Sequence, residues 1–174
     1  ASISASTVTI TGVGTVTVRA SQVGDSNFNA ATAVDRSFNV ANAAQTITFN
    51  TLAGKTYGDA PFTVSATSSS GLSVSFSIVS GPATISASTV TITGAGTVTV
   101  RASQAGDSNY NAAAAVDRSI SVAKASATVT LGSLNQAYGG TPRAATATTN
   151  PVGLSSVSFT YNGSSTAPTN SGSY

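Results

Sequence analysis

The chain repeats itself at an interval of 82 residues, and this repeat limits what it can fold into more than any other feature. Residues 3–44 return as residues 85–126; eight of the 42 paired positions differ, so that 34 are identical. A period of this length exceeds the unit of most solenoids and fits a small autonomous domain arranged in tandem. We therefore expect the function to depend on how the copies are arranged rather than on one reactive pocket.

Apolar and polar residues alternate along several short segments of residues 43–124, which hold one complete period. Ile47 and Phe49 start one such run, and Val98 and Val100 belong to another. Alternation with a period of two indicates strands with one buried face, and the Gly- and Pro-containing segments between the runs indicate turns. About six or seven short strands in one period predict an all-β fold of tandem immunoglobulin-like β-sandwich domains.

The repeat divides the chain into a half domain, a full domain and a half domain. Residues 1–42 correspond to the C-terminal half of a repeat, and residues 43–124 form a complete repeat. Residues 125–174 correspond to the N-terminal half of a third, divergent copy, in which residues 128–131 match residues 46–49.

The two half repeats are complementary to each other. A half sandwich would expose its apolar face and an unpaired strand edge. The tail of one copy and the head of the next would together make one complete domain. We expect the chain to be either a segment of a longer covalent array or a subunit that neighbouring copies complete, and the two arrangements bury similar surfaces.

Several segments of residues 46–124 resemble the Ig-like tandem repeats of very large bacterial surface proteins; these are GKTYGDAPF, GLSVSFSIVSGPATIS, TITGAGTVTVRASQAGDSNYNAA and DRSISVAKA. Residues 125–174 resemble the MBG-type module found in the same proteins. The resemblance implies a structural role outside the cell, in the stalk of an adhesin, in a filament or in a biofilm. It implies neighbouring repeats as partners, end to end, and brings no catalytic residue with it.

The composition removes most enzymatic chemistry. The chain has no Cys and no His, and its acidic residues are five aspartates. Zinc sites and Ser–His or Cys–His nucleophiles are therefore excluded, and we expect no enzyme and no resident cofactor. The seven Lys and Arg residues are scattered along the chain, which argues against nucleic acid as a partner. No run approaches the about 20 apolar residues of a membrane span.

One short motif, present in both copies, is a candidate calcium site. Asp, Asn and Asn alternate in residues 25–29 and 107–111, the order that opens many calcium loops. Ala112 stands where such a loop needs Gly, and Arg118 stands where it needs Glu. The favoured interpretation is that these side chains hydrogen-bond the backbone of a turn. The candidate ligands are Asp25, Asn27, Asn29, Asp107, Asn109 and Asn111.

Two functions remain open at this stage. The first is a spacer, because the connection between repeats near residues 40–44 and 122–126 contains neither Pro nor a Gly run and should bend little. The second is an immunoglobulin-like module that binds a glycan or calcium through its loops. The five tyrosines lie far apart in the sequence, which argues against a sugar-stacking platform.

Overall fold

In a computed structural model that describes residues 1–170 and 172, every regular element is a strand, which confirms the all-β prediction. The turn residues and β-branched residues of the repeat account for the many short strands. In chain order the strands are β1 (Ser2–Ser4), β2 (Thr7–Thr9), β3 (Gly14–Ala20), β4 (Val34–Val40), β5 (Ile47–Phe49), β6 (Lys55–Thr56), β7 (Phe62–Thr63), β8 (Ala66–Ser68), β9 (Ser75–Ser80), β10 (Ala83–Ser86), β11 (Thr89–Ile92), β12 (Gly96–Ser103), β13 (Val116–Ala123), β14 (Thr128–Gly132) and β15 (Thr146–Asn150).

The chain divides into two units, residues 1–124 and residues 125–174. This division coincides with the start of the third copy in the sequence. The first half repeat and the complete repeat lie together in the first unit. The three-part division into half, full and half repeats stays a prediction.

The complete repeat is built from three groups of strands. Strands β6, β13, β12 and β9 form a sheet in that order, in which β12 pairs antiparallel with both of its neighbours. Strands β10, β11 and β7 form a second sheet, and β5 pairs with β8. Because the side chains of each strand alternate between two faces, each group contributes one apolar face.

The core lies within the complete repeat and draws on all three strand groups. Phe49 of β5 is 2% exposed, and its ring lies 5.6 Å from that of Phe76, measured between centroids. The other apolar residues that are buried in the described part of the chain are Val64, Val90, Val98, Val100, Ala102, Ile120 and Val122. Phe49 therefore connects β5 to the sheet of β12 and β13, against which β5 packs.

The first half repeat forms the same hairpin as its copy but leaves it uncovered. Strands β3 and β4 pair with Gly14 opposite Val40, and strands β12 and β13 pair in the same register, with Gly96 opposite Val122. Phe38 is 40% exposed, whereas Ile120 at the same position of the complete repeat is 2% exposed. The same local sequence thus gives the same pairing, while burial depends on what packs against the hairpin.

The third copy also repeats a strand pair of the complete repeat. Strands β14 and β15 pair with Leu131 opposite Ala147, as β5 and β8 pair with Phe49 opposite Ala66. Val129 and Leu131 are both more than half exposed. The apolar face that β5 buries in the complete repeat is therefore open to solvent in the third copy.

Candidate functional site

Residues 106–111 follow β12 and form a tight loop that is stabilised from within. Gly106 adopts a φ of +79°, a conformation that favours glycine. The Asp107 carboxylate oxygen Oδ1 accepts hydrogen bonds from the backbone N–H groups of Asn109 and Tyr110, at 2.8 and 2.9 Å. The Asp107 N–H donates to the Tyr110 carbonyl at 3.0 Å. An aspartate that accepts from the backbone two residues on is a common device for fixing a turn.

The first copy of this motif, residues 24–29, folds in the same way. Asp25 Oδ1 accepts from the N–H groups of Asn27 and Phe28, at 2.8 and 2.9 Å. Gly24 again has a positive φ, of +75°. Because two copies in different surroundings share one geometry, the loop conformation is a property of its own sequence.

The backbone of the loop binds the segment that joins the first half repeat to the complete repeat. We call residues 42–45 the linker and residues 104–111 the joint loop. The Ala43 N–H donates to the Asn109 carbonyl at 2.8 Å, and the Asn111 N–H donates to the Ala43 carbonyl at 2.9 Å. These two bonds form a parallel β-bridge between Ala43 and Tyr110. The linker is thereby held as a short strand instead of crossing between the repeats without contacts.

Side-chain amides add a second set of bonds to the same contact. Asn42 Nδ2 lies 3.3 Å from the Asp107 carbonyl and 3.2 Å from the Ser108 carbonyl, and donates to both. Asn111 Nδ2 donates in return to the Asn42 carbonyl at 3.4 Å. The linker is therefore bound to the joint loop along both its backbone and its side chains.

A buried pair of glutamines anchors the linker to the complete repeat. Gln45 is 7% exposed and Gln104 is 9% exposed. Gln45 Nε2 donates to Gln104 Oε1 and, at 2.6 Å, to the Asn111 carbonyl, while Ser70 Oγ donates to Gln45 Oε1 at 2.5 Å. Gln104 Oε1 also accepts from the Gly106 N–H at 2.5 Å, which holds the start of the loop. Buried amides that are paired in this way specify one arrangement, because unpaired they would be costly.

Charged groups of the complete repeat bind each other across neighbouring strands. Arg101 donates two hydrogen bonds of 2.8 Å to the carboxylate of Asp117, and Arg19 binds Asp35 in the same way in the first copy. The hydrogen bond from Arg101 lowers the pKa of Asp117 and raises the pKa of Arg101. Both partners are exposed, so that the pair favours the correct strand register rather than a reaction.

The structure places the six candidate calcium ligands in the two loops, three in each. In the joint loop, Asp107 Oδ1 already holds the turn, the Asn109 carbonyl binds the linker, and the Asn111 side chain binds Asn42. Asp25 holds the turn of the first copy in the same way, with Asn27 and Asn29 in that loop. Among the described residues, no group of three His, Cys, Asp or Glu side chains could hold a metal ion. Calcium binding stays a prediction of the sequence pattern.

We expect calcium to leave the melting temperature of the chain unchanged. Each loop contains one carboxylate, and that carboxylate already accepts two backbone hydrogen bonds. A ligand that binds only the folded state raises its melting temperature, so thermal unfolding followed by circular dichroism with calcium and with chelator tests the point. A rise with calcium that the isosteric Asp107→Asn variant loses would instead establish a metal site.

Sequence reasoning missed the residues that form the joint. Gln45, Gln104 and Asn42 are uncharged and belong to no familiar motif. One signal was present: a glutamine stands two positions before the loop glycine in both copies, as Gln22 before Gly24 and Gln104 before Gly106. The partner Gln45 has no such signal, because Ala127 occupies its position in the third copy.

Comparison with known proteins finds one family along the chain. Residues 127–174 match the model of the MBG domain, a repeat-type domain of extracellular proteins. No curated protein and no solved structure matches the chain. The third copy thus resembles a β-rich repeat domain, and the described part of the chain has no helix with the length and apolar character needed to cross a membrane.

Proposed function

We propose that the chain is a structural repeat segment of a bacterial extracellular stalk, adhesin or filament, to which it gives reach and spacing. In this proposal the complete repeat is an immunoglobulin-like β-sandwich. Support comes from the strand groups, since apolar side chains of β5, β11 and β12 meet in one core. The match of residues 127–174 to a repeat domain of extracellular proteins supports the cell-surface location.

The observation that carries the proposal is the bound linker. A flexible connection would let neighbouring repeats swing independently, as Gly/Ser-rich segments do. Here the linker makes two backbone hydrogen bonds to the joint loop and ends at the buried Gln45. Each such bond contributes about 0.5–1.5 kcal/mol net, and several together oppose bending at one point.

The proposed mechanism is mechanical. A compact domain of one repeat adds on the order of 30–40 Å to the length of an array. Joints that resist bending let these lengths add along one direction, so that a distal part is held away from the surface. The partners in this function are neighbouring repeats or copies, end to end.

Distance measurements between the two sides of the joint test the proposal. The chain has no Cys, so Ser37→Cys on β4 and Ser77→Cys on β9 give two unique sites for spin labels. Both serines are exposed. Double electron–electron resonance should give one narrow distance distribution, because the linker holds the two parts in one arrangement.

Ala43→Pro should broaden this distribution, since proline removes the N–H that donates to the Asn109 carbonyl. Ala43 is exposed, so that the core is left intact. Ala125→Pro, the same change 82 residues later, is the matched control and should leave the distribution narrow. A broad distribution in the unchanged protein would refute a stiff joint, and with it the spacer function.

A further inference from the structure

The chain carries two apolar surfaces whose counterparts are packed against each other in its own complete repeat. The first, the acceptor face, is the apolar side of the β3–β4 hairpin. The second, the donor face, is the apolar side of the β14–β15 hairpin. Their counterparts are the β12–β13 hairpin and the β5–β8 strand pair, respectively, with matching strand registers.

The complete repeat shows how the two kinds of strand pair fit together. Strand β5 packs on β12 and β13, and Phe49 is buried there with Val98 and Ile120. Arg118 of β13 adds a polar contact, because its Nε donates to the Phe49 carbonyl at 2.9 Å. Hydrophobic burial and one directed hydrogen bond thus define the packing.

The acceptor face has the residues for the same contact, but no strand of the described residues covers it. Phe38 and Val34 are exposed on β4, and Val16 on β3 is half-buried. Arg36 matches Arg118 and makes the same bond to the carbonyl of the preceding aspartate. Within the described part of the chain, no hydrogen bond occupies the Arg36 Nε, the atom whose counterpart binds β5.

The donor face is correspondingly open. Val129 and Leu131 occupy the positions of Ile47 and Phe49, and both are exposed. Leu131 also lines a groove of about 890 Å³ in the second unit, in which apolar residues such as Leu134 and Phe159 alternate with polar residues such as Gln136 and Arg143. Large apolar side chains that are exposed on the same face of one strand, as Val129 and Leu131 are, form a candidate interaction surface.

We propose that the donor face of one copy of this chain binds the acceptor face of a second copy, so that two half repeats complete one domain between molecules. The inference rests on the proposed function and names its partner. The contact joins two different surfaces, so a bound pair still offers one free acceptor face and one free donor face to further copies. Association of this type is head to tail and extends into chains of molecules. The Leu131 carbonyl accepts the Arg36 Nε–H in this arrangement, as the Phe49 carbonyl accepts that of Arg118.

Sedimentation of the whole protein over a wide concentration range tests the proposal. The mean mass should rise with concentration from 17.0 kDa toward multiples of that value. Phe38→Asp on the acceptor face and Leu131→Asp on the donor face should each keep the protein at 17.0 kDa, because a buried unpaired charge is costly. Ser37→Asp and Thr130→Asp, neighbouring exposed positions whose side chains point to the other face of each strand, are the matched controls and should associate like the parent.

Mixing the two monomeric variants provides the decisive measurement. Each retains one intact face, so an equimolar mixture should form a pair of twice 17.0 kDa and grow no further. Association of Leu131→Asp alone would mean that acceptor faces bind each other, and would overturn the proposal. A protein that stays monomeric at every concentration would overturn it as well, while leaving the spin-label result at the joint, and the spacer function, untouched.

Discussion

Replacing Phe49 with alanine should lower the free energy of unfolding of the complete repeat by about 3–5 kcal/mol, the usual cost of truncating a buried phenylalanine. The side chain is among the largest fully buried ones in the described residues, and it packs against the ring of Phe76. Its removal leaves a cavity between β5 and the β12–β13 pair, which the short strand β5 cannot close by shifting. Hydrogen exchange of the β12 and β13 amides, measured by NMR, gives the loss directly, because these core amides exchange through global opening of the repeat.

Leu131→Ala is the matched control for this substitution. Leu131 holds the position of Phe49 in the third copy but is 54% exposed. At concentrations where the protein is monomeric, truncation of the Leu131 side chain should change the free energy of unfolding by no more than about 0.5 kcal/mol. Equal losses from the two substitutions would contradict the difference in burial between the second and third copies.

The sequence alone predicted the all-β fold and the alternating faces of the longer strands, but not the number of strands: the complete repeat contains nine, β5 to β13, where the sequence predicts six or seven. Alternation in β12 placed Val98 and Val100 on one face, and both are buried. The repeat also implied that β3–β4 would copy β12–β13, and the two hairpins share one register. Local pattern is informative here because side chains in a strand alternate with a fixed period of two.

The burial of individual side chains and the contacts of the linker could not be predicted in the same way, because both depend on which distant segment of the chain packs against them. Phe38 and Ile120 lie in nearly identical local sequences, but Phe38 is 40% exposed and Ile120 is 2% exposed. The Asp–Asn motif correctly indicated a turn. The binding of the linker could not be predicted, because the backbone carbonyls of the joint loop make these bonds and the pattern of side chains does not reveal them. The burial of Gln45 and Gln104 could not be predicted from the sequence either, because glutamine is mostly a surface residue.

Gly106→Ala should open the joint loop and release the linker. A φ of +79° costs about 1–2 kcal/mol for a residue with a Cβ. The added atom would also lie 2.3 Å from the Tyr110 carbonyl oxygen and 2.8 Å from the Ala112 nitrogen, both backbone atoms. The loop must therefore rearrange, which displaces the carbonyls that bind Asn42 and Gln45. We expect a loss of stability above about 2 kcal/mol and a broad distance distribution between the spin labels.

Two other glycines separate the causes of this effect. Gly58 has a φ of +97° with no atom within 4 Å of an added Cβ, so Gly58→Ala should show the cost of the backbone conformation alone. Gly24→Ala places its Cβ 2.4 Å from the Phe28 carbonyl oxygen, the same clash in the first copy of the loop. Since no linker within the described residues is bound there, the label distances across the joint should stay narrow. If Gly24→Ala broadened them as much as the change in the joint loop did, general loosening of the unit, and not release of the linker, would explain the result.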